Sequence, residues 1–209
     1  MLKFDKKIDA VLKYYHKRIE AEDALMQSLE RAEGMKRRDE FLLSVGIETA
    51  IFLNNLAKSS KAKTILEIGT SYGYSTIWLA EAARANDGLV ISLENDAKKA
   101  AYAQKMIEKA GLLAHVDIRV GDALETIKQA KEQFDFVLLD LWKELYLPCF
   151  DLFYPKLNKG AWVVADNMIF PPHSQLDTDA YRNRVKETHN FDSVLLPIGS
   201  GIELSFFKR

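Results

Sequence analysis

Thr64-Ile65-Leu66-Glu67-Ile68-Gly69-Thr70-Ser71-Tyr72-Gly73-Tyr74-Ser75 decides how this chain folds. Thr64 to Ile68 is a short apolar run that stops at Gly69, and a helix is predicted over residues 75–85. Strand, glycine turn, helix is the opening unit of an alternating α/β fold, and glycines there let the backbone turn sharply and approach a ligand. Downstream the same grammar repeats. Leu89–Leu93, Val116–Val120, Phe134–Leu139 and Ala161–Ala165 read as further strands. Asp96 is placed to cap a helix that carries Ala100, Ala103, Ile107 and Ala110 on one face and stops at Gly111. Shorter helices are expected over residues 122–131 and 178–189, and Ser193–Pro197 with Ile202–Phe207 as a closing antiparallel hairpin around Gly199-Ser200-Gly201. The strands are apolar almost throughout, which suits a parallel sheet covered on both faces.

Upstream, residues 1–60 read as helical. Ile8, Leu12, Tyr15, Ile19, Met26 and Leu29 recur at helical spacing, and Phe41, Leu42, Val45, Ala50, Leu53 and Leu56 mark a second helix with its approach. The chain therefore divides into a helical lid or dimerisation extension over 1–60 and the α/β domain over 61–209. At 209 residues and 48% hydrophobic composition, it can bury a full core without staples. A net charge of −1 exerts no general pull on nucleic acid, although Lys36-Arg37-Arg38 is a local basic run. Cys149 is the single cysteine and is expected to be a buried, inert thiol. The N-terminus suits neither a signal nor a transit peptide, and no apolar run approaches the ~20 residues of a membrane helix, so the expected location is cytoplasmic.

In doubly wound sheets ligands gather at the carboxyl ends of the strands. After the first strand stands an acid, Glu67, followed by a Gly-x-x-x-Gly turn, Gly69 to Gly73. A dinucleotide fingerprint would need glycines at 69, 71 and 74, where this chain has Gly69, Ser71 and Tyr74. The turn better suits a nucleoside with a charged amino-acid tail, although a purely structural turn would look the same. Glu94 ends the second strand, where a carboxylate can accept from both ribose hydroxyls or simply be solvated. Gly121-Asp122-Ala123 ends the third, placed either to grip an adenine edge or to cap a helix.

Together these segments resemble the class I S-adenosylmethionine-dependent methyltransferases, from about Phe41 to the C-terminus. Leu139-Asp140-Leu141-Trp142-Lys143-Glu144-Leu145-Tyr146-Leu147-Pro148 is similar to the catechol O-methyltransferase segment, and Ala165-Asp166-Asn167-Met168-Ile169-Phe170-Pro171 to that family's second metal segment. The C-terminal Leu196–Gly201 stretch is more like bacterial members, which include caffeoyl-coenzyme-A-type relatives and a tRNA hydroxyuridine methyltransferase. The resemblance implies a Rossmann-like, mostly parallel seven-stranded sheet and a homodimer. It implies S-adenosyl-L-methionine held by Val45, Glu67, Gly69, Ser71, Gly73, Ser75, Glu94, Asn95, Gly121, Asp122, Ala123, Asp140 and Trp142.

Asp140 and Asp166-Asn167 end the fourth and fifth strands. Two carboxylates and an amide oxygen are a hard oxygen set suited to Mg²⁺ or a similar divalent ion, the alternative being two ordinary strand-end acids. Such an ion would favour ionisation of an acceptor hydroxyl. Lys143, three residues after Asp140, is a solvated charge in most contexts, but the resemblance implies a catalytic base here. Two nearby positive charges, metal and sulfonium, would favour its neutral amine. Phe41, Trp142 and Pro171 match an apolar wall around a phenolic ring, with core packing as the rival reading. His16 and His189 read as surface residues, His115 opens a strand and His173 sits in a loop.

Two departures bear on the acceptor. Leu141 stands where the catechol enzymes carry histidine, and the short Gly199–Gly201 hairpin offers no acid for a second catechol hydroxyl. The expected reaction is metal-assisted O-methylation of a small phenolic or diol acceptor, with a tRNA wobble uridine as the alternative. A nicotinamide oxidoreductase conflicts with the glycine pattern, and a non-catalytic binding module with the intact metal set and base.

Overall fold

Asp5 starts the first helix by accepting from the backbone N–H groups of Lys7 and Ile8. The computed structural model describes residues 4–30, 33, 37 and 40–209, so Lys36 and Arg38 of the basic run lie outside the described residues. Helix α1 (Lys6–Ser28) buries Ile8, Val11, Leu12 and Tyr15, and α2 (Ile47–Ser59) buries Ala50, Leu53 and Ala57. Then follow β1 (Thr64–Ile68), α3 (Tyr74–Ala85), β2 (Leu89–Glu94), α4 (Ala97–Lys109), β3 (Val116–Val120), α5 (Ala123–Gln129) and β4 (Phe134–Leu139). The chain continues through α6 (Tyr146–Phe153), β5 (Leu157–Ala165), α7 (Gln175–Glu187), β6 (Phe191–Leu196) and β7 (Ile202–Phe207).

The seven strands form one sheet in the order β3-β2-β1-β4-β5-β7-β6. Strands β1 to β5 pair in parallel, and β7 runs antiparallel to both β5 and β6. This is the doubly wound sheet with a closing hairpin expected from the sequence. Side chains alternate across each strand. Ile65, Val90, Phe136 and Leu138 pack on one face with α1, α2 and α3. Leu66, Ile91, Val137 and Leu139 pack on the other with Phe150, Phe153 and Tyr181 of α6 and α7. Both faces of the central strands are covered, which is why β1, β2 and β4 lack a polar side, whereas the edge strands β3 and β6 carry Asp117, Arg119, Asp192 and Ser193. The N-terminal helices belong to the first of these clusters, continuous with the sheet's core. Among the described residues no helix is long and apolar enough to cross a membrane.

The structure adds α6, to which the sequence pattern had assigned no helix. Pro148 masks it, yet lies in the first turn, where proline costs no internal hydrogen bond. Asp96 caps α4 through the N–H groups of Lys98 and Lys99, as expected. Cys149 is fully buried on α6, and burial pushes its thiol up to about 12, so it is inert at neutral pH.

Candidate active site

Strand order reverses between β1 and β4, and the crevice opens there. Asp140 N–H donates to the Ile68 carbonyl at 3.0 Å, tying the two strand ends together. Gly69 has φ +109°, and a Cβ on it would stand 2.0 Å from the Asp140 carbonyl oxygen. Only glycine fits there, because the turn after β1 and the strand end bearing Asp140 are in contact. Above them lies a cavity of about 970 Å³. Its lining includes Val45, Gly69, Ser71, Ser75, Glu94, Asn95, Gly121, Asp122, Ala123, Asp140, Trp142, Lys143, Asn167 and Pro171, all singled out from the sequence. Met26, Leu29 and Glu30, at the end of α1, also border it.

Two acids organise the β1–β2 side. Glu94 accepts from Ser71 N–H at 2.6 Å and from Asp96 N–H at 3.0 Å, so it braces the glycine turn as well as facing the cavity. Glu67 lies fully buried beneath the turn and is outside the lining. Ser75 donates to its Oε1 at 2.6 Å, and Thr76 and Ser92 donate to Oε2 at 2.6 and 2.5 Å. The cage fixes the start of α3 to β1 and β2. Thr76 and Ser92 were not anticipated; a hydroxyl in the first turn of a helix and another on a neighbouring strand carry no linear motif. Gly73, with φ +88°, forms the turn that leads into α3. Asp122 caps α5 by accepting from Glu125 N–H at 3.0 Å, the structural role that its sequence position left open.

Burial outweighs the three hydroxyls and pushes the Glu67 carboxyl from 4.5 up to about 7. A folded-state value above the unfolded one favours folding below about 4.5, and that contribution is lost as pH rises through about 7. The protein should lose on the order of 3 kcal/mol of stability across that window from Glu67, at ~1.4 kcal/mol per pH unit. Glu67→Gln should flatten the slope between pH 5 and 8 in urea titrations. An unchanged slope would mean that Glu67 does not titrate in the window.

At the ends of β4 and β5 the remaining polar groups converge. Lys143 is 9% exposed and opens a single turn that leads into α6. Its Nζ donates to the Leu141 carbonyl at 3.0 Å, to the Tyr146 hydroxyl at 2.5 Å and to Asn167 Oδ1 at 2.8 Å, and stands 3.8 Å from Asp140 Oδ1. Asn167 adopts φ +55°, a left-handed turn that asparagine tolerates, and its Nδ2 donates to Asp166 Oδ2 at 3.3 Å. Asp166 is 1% exposed, and its Oδ1 has no hydrogen-bond partner. Burial, and then the charge of Asp140, raise its carboxyl to about 7. A buried carboxylate oxygen without a donor, beside a second carboxylate, is costly unless a cation meets it. The donor set therefore fits a hard divalent ion. Among the described residues no three His, Cys, Asp or Glu side chains cluster, so a third side-chain oxygen here could come only from an uncharged group such as the Asn167 amide.

Trp142 is 43% exposed on the cavity rim, near Phe170 (61%) and Pro171 on the same lining. Phe41 instead is buried beneath the Arg37 guanidinium, 5.9 Å from its ring centroid, and is not part of the lining. His173 is exposed and borders the cavity, whereas His189 is exposed away from it. His115 precedes β3, with Nδ1 3.0 Å from the Gly88 carbonyl oxygen. His16 is half-buried rather than on the surface, with Nε2 3.1 Å from the Tyr74 hydroxyl.

A family model described as O-methyltransferase matches residues 16–206. The chain is 39% identical over 157 residues to the catechol O-methyltransferase of Niastella koreensis, covering 73% of this chain and 70% of that protein. It is 37% identical over 128 residues to the catechol O-methyltransferase of Mycobacterium tuberculosis, covering 61% and 58%. It is also similar to the crystal structure of an O-methyltransferase from Bacillus cereus in complex with SAH, with a TM-score of 0.75 and 25% identity over 100% of this chain and 93% of the other.

Proposed function

Since the chain belongs to the O-methyltransferase family, whose model spans residues 16–206, we propose that it transfers the methyl group of S-adenosylmethionine to a hydroxyl of a small phenolic acceptor. A divalent cation, Mg²⁺ by donor type, would be held by Asp140, Asp166 and Asn167 and would supply Lewis-acid polarisation of that hydroxyl. The observation that carries the reading is the floor of the cavity. There Asp140, the Lys143 amine and Asn167 line the strand ends across from Glu94, and the buried Asp166 carboxylate, whose Oδ1 has no hydrogen-bond partner, stands beside them outside the lining.

Each residue has a definable task. Glu94 offers its carboxylate to the ribose hydroxyls while holding Ser71 N–H, so binding the nucleoside and ordering the turn are one act. Lys143, as the neutral amine, takes the acceptor's hydroxyl proton onto Nζ. The sulfur–methyl bond breaks as the oxygen–methyl bond forms, in a single in-line displacement that leaves neutral thioether and ether. Trp142, Phe170 and Pro171 orient an aromatic ring and exclude water, so that positioning supplies much of the acceleration. The end of α1, through Met26 and Leu29, covers the cavity as a lid.

The relatives described as catechol O-methyltransferases support a diol acceptor. Of the basic run, the described Arg37 is paired with Glu40 at 2.9 Å. Methyl transfer should be faster to caffeate-like diols than to unmodified cellular tRNA, with little dependence on salt. An acceptor held by several phosphate contacts would instead lose affinity steeply between low and moderate ionic strength. Salt-sensitive labelling of tRNA with the diols inert would reassign the acceptor and leave the donor site intact.

A further inference from the structure

Tyr146 is fully buried and is not part of the cavity lining, yet its hydroxyl has three partners at the floor of the site. It lies 2.9 Å from the Leu139 carbonyl oxygen and 2.9 Å from the Asp166 carbonyl oxygen, and it accepts from Lys143 Nζ at 2.5 Å. Its single proton is directed to the two strand ends, and its lone pairs face the amine. Lys143 and Tyr146 are three residues apart in one helical turn, so the spacing that brings them together is local.

The other two groups that receive Lys143 belong to the loops after the strands. Leu141 belongs to the loop after β4, and Asn167 Oδ1 is carried on a rotatable amide at the end of β5. The Tyr146 ring is instead clamped. It packs edge-on against Tyr181 with centroids 5.8 Å apart, and it lies 4.4 Å beneath Nζ. A rigid ring anchored to the ends of both β4 and β5 transmits the position of those strands to the amine.

We propose that Tyr146 is a positioning residue for methyl transfer: its hydroxyl, tied to the ends of β4 and β5, fixes where Lys143 Nζ stands, and it influences the reaction only through that lysine. This rests on the assignment of Lys143 as the base. Misplacing a catalytic group by about 1 Å can cost on the order of 10²-fold in rate. A residue that acts only through another has no effect once that other is gone.

The test is a double-mutant cycle on the full-length, metal-supplemented enzyme with a catechol acceptor. Tyr146→Phe should lower kcat roughly 10- to 100-fold, with acceptor KM and cofactor Kd each within about threefold of wild type, as expected when an interaction realised only in the transition state is lost. In the Lys143→Met background, Tyr146→Phe should change kcat by less than about twofold, the signature of a shared role. Tyr181→Phe is the packing control. The Tyr181 hydroxyl is buried without a hydrogen-bond partner, so its removal should leave kcat unchanged. Unchanged kcat in Tyr146→Phe, or losses that multiply in the double variant, overturns the proposal. If Lys143→Met itself keeps full kcat, the base assignment fails first, which separates the two failures. A readout that needs no Tyr146 variant is the ¹⁵Nζ spectrum of Lys143 in the wild-type protein, assigned by its loss in Lys143→Met. In the protein free of metal and cofactor, where the three donated bonds describe an ammonium, slowly exchanging Nζ protons are expected, and rapid exchange at neutral pH would contradict the geometry.

Discussion

Lys143→Met is expected to lower kcat by roughly 10²–10⁴, the worth of a positioned general base, while cofactor affinity stays close to wild type. Methionine keeps the length of the side chain and fills the same buried space, so the loss reports the amine rather than a hole. Its cost to folding is separate. The Leu141 carbonyl, the Tyr146 hydroxyl and Asn167 Oδ1 each lose a donor, and an unsatisfied buried acceptor costs about 1–3 kcal/mol. Thermal melts run beside single-turnover kinetics distinguish the two effects. A drop confined to cofactor affinity, with kcat intact under saturation, would remove Lys143 from the proton-transfer role.

Exhaustive chelation is expected to abolish turnover and leave the cofactor bound, with Mg²⁺ or Mn²⁺ restoring activity. Asp166→Asn should behave like the chelated enzyme, because the amide keeps the shape and loses the charge that a hard cation needs. The two properties of this variant should move in opposite directions. The buried Asp166 carboxyl is raised to about 7 by burial and by Asp140, so its ionisation costs stability above that pH. The sign is that of a group whose folded-state pKa exceeds its unfolded one: the stability is present at low pH and lost on passing about 7. Metal-free Asp166→Asn at pH 8 should therefore be at least as stable as metal-free wild type, although inactive. Full turnover after chelation would reduce Asp140, Asp166 and Asn167 to structural groups.

The succession of strands, the helices other than α6, the parallel sheet and the closing hairpin were legible in the sequence, because each rests on local periodicity and on glycines at turns. Gly69 and Asp140 could be picked out singly, since a glycine after a strand and an acid at a strand end are local signals. Helix α6 was not legible. Its residues Tyr146, Cys149, Phe150 and Phe153 are buried within a nearly all-apolar segment interrupted by Pro148, so no amphipathic period stood out. The place of Phe41 was equally hidden, because an aromatic side chain reads the same whether it lines a cavity or, as here, packs outside one. The sequence by itself determined which chemical groups stand at the strand ends, since the positions that end a strand follow from its pattern. Only the tertiary structure decided which of them meet. Parallel pairing of β4 with β1 and β5 brings Asp140, Lys143 and Asn167 within a few ångströms, buries Glu67 and Asp166, and shifts both carboxyls upward. Desolvation and charge proximity depend on distances through space, and those distances come from the pairing of strands remote in sequence.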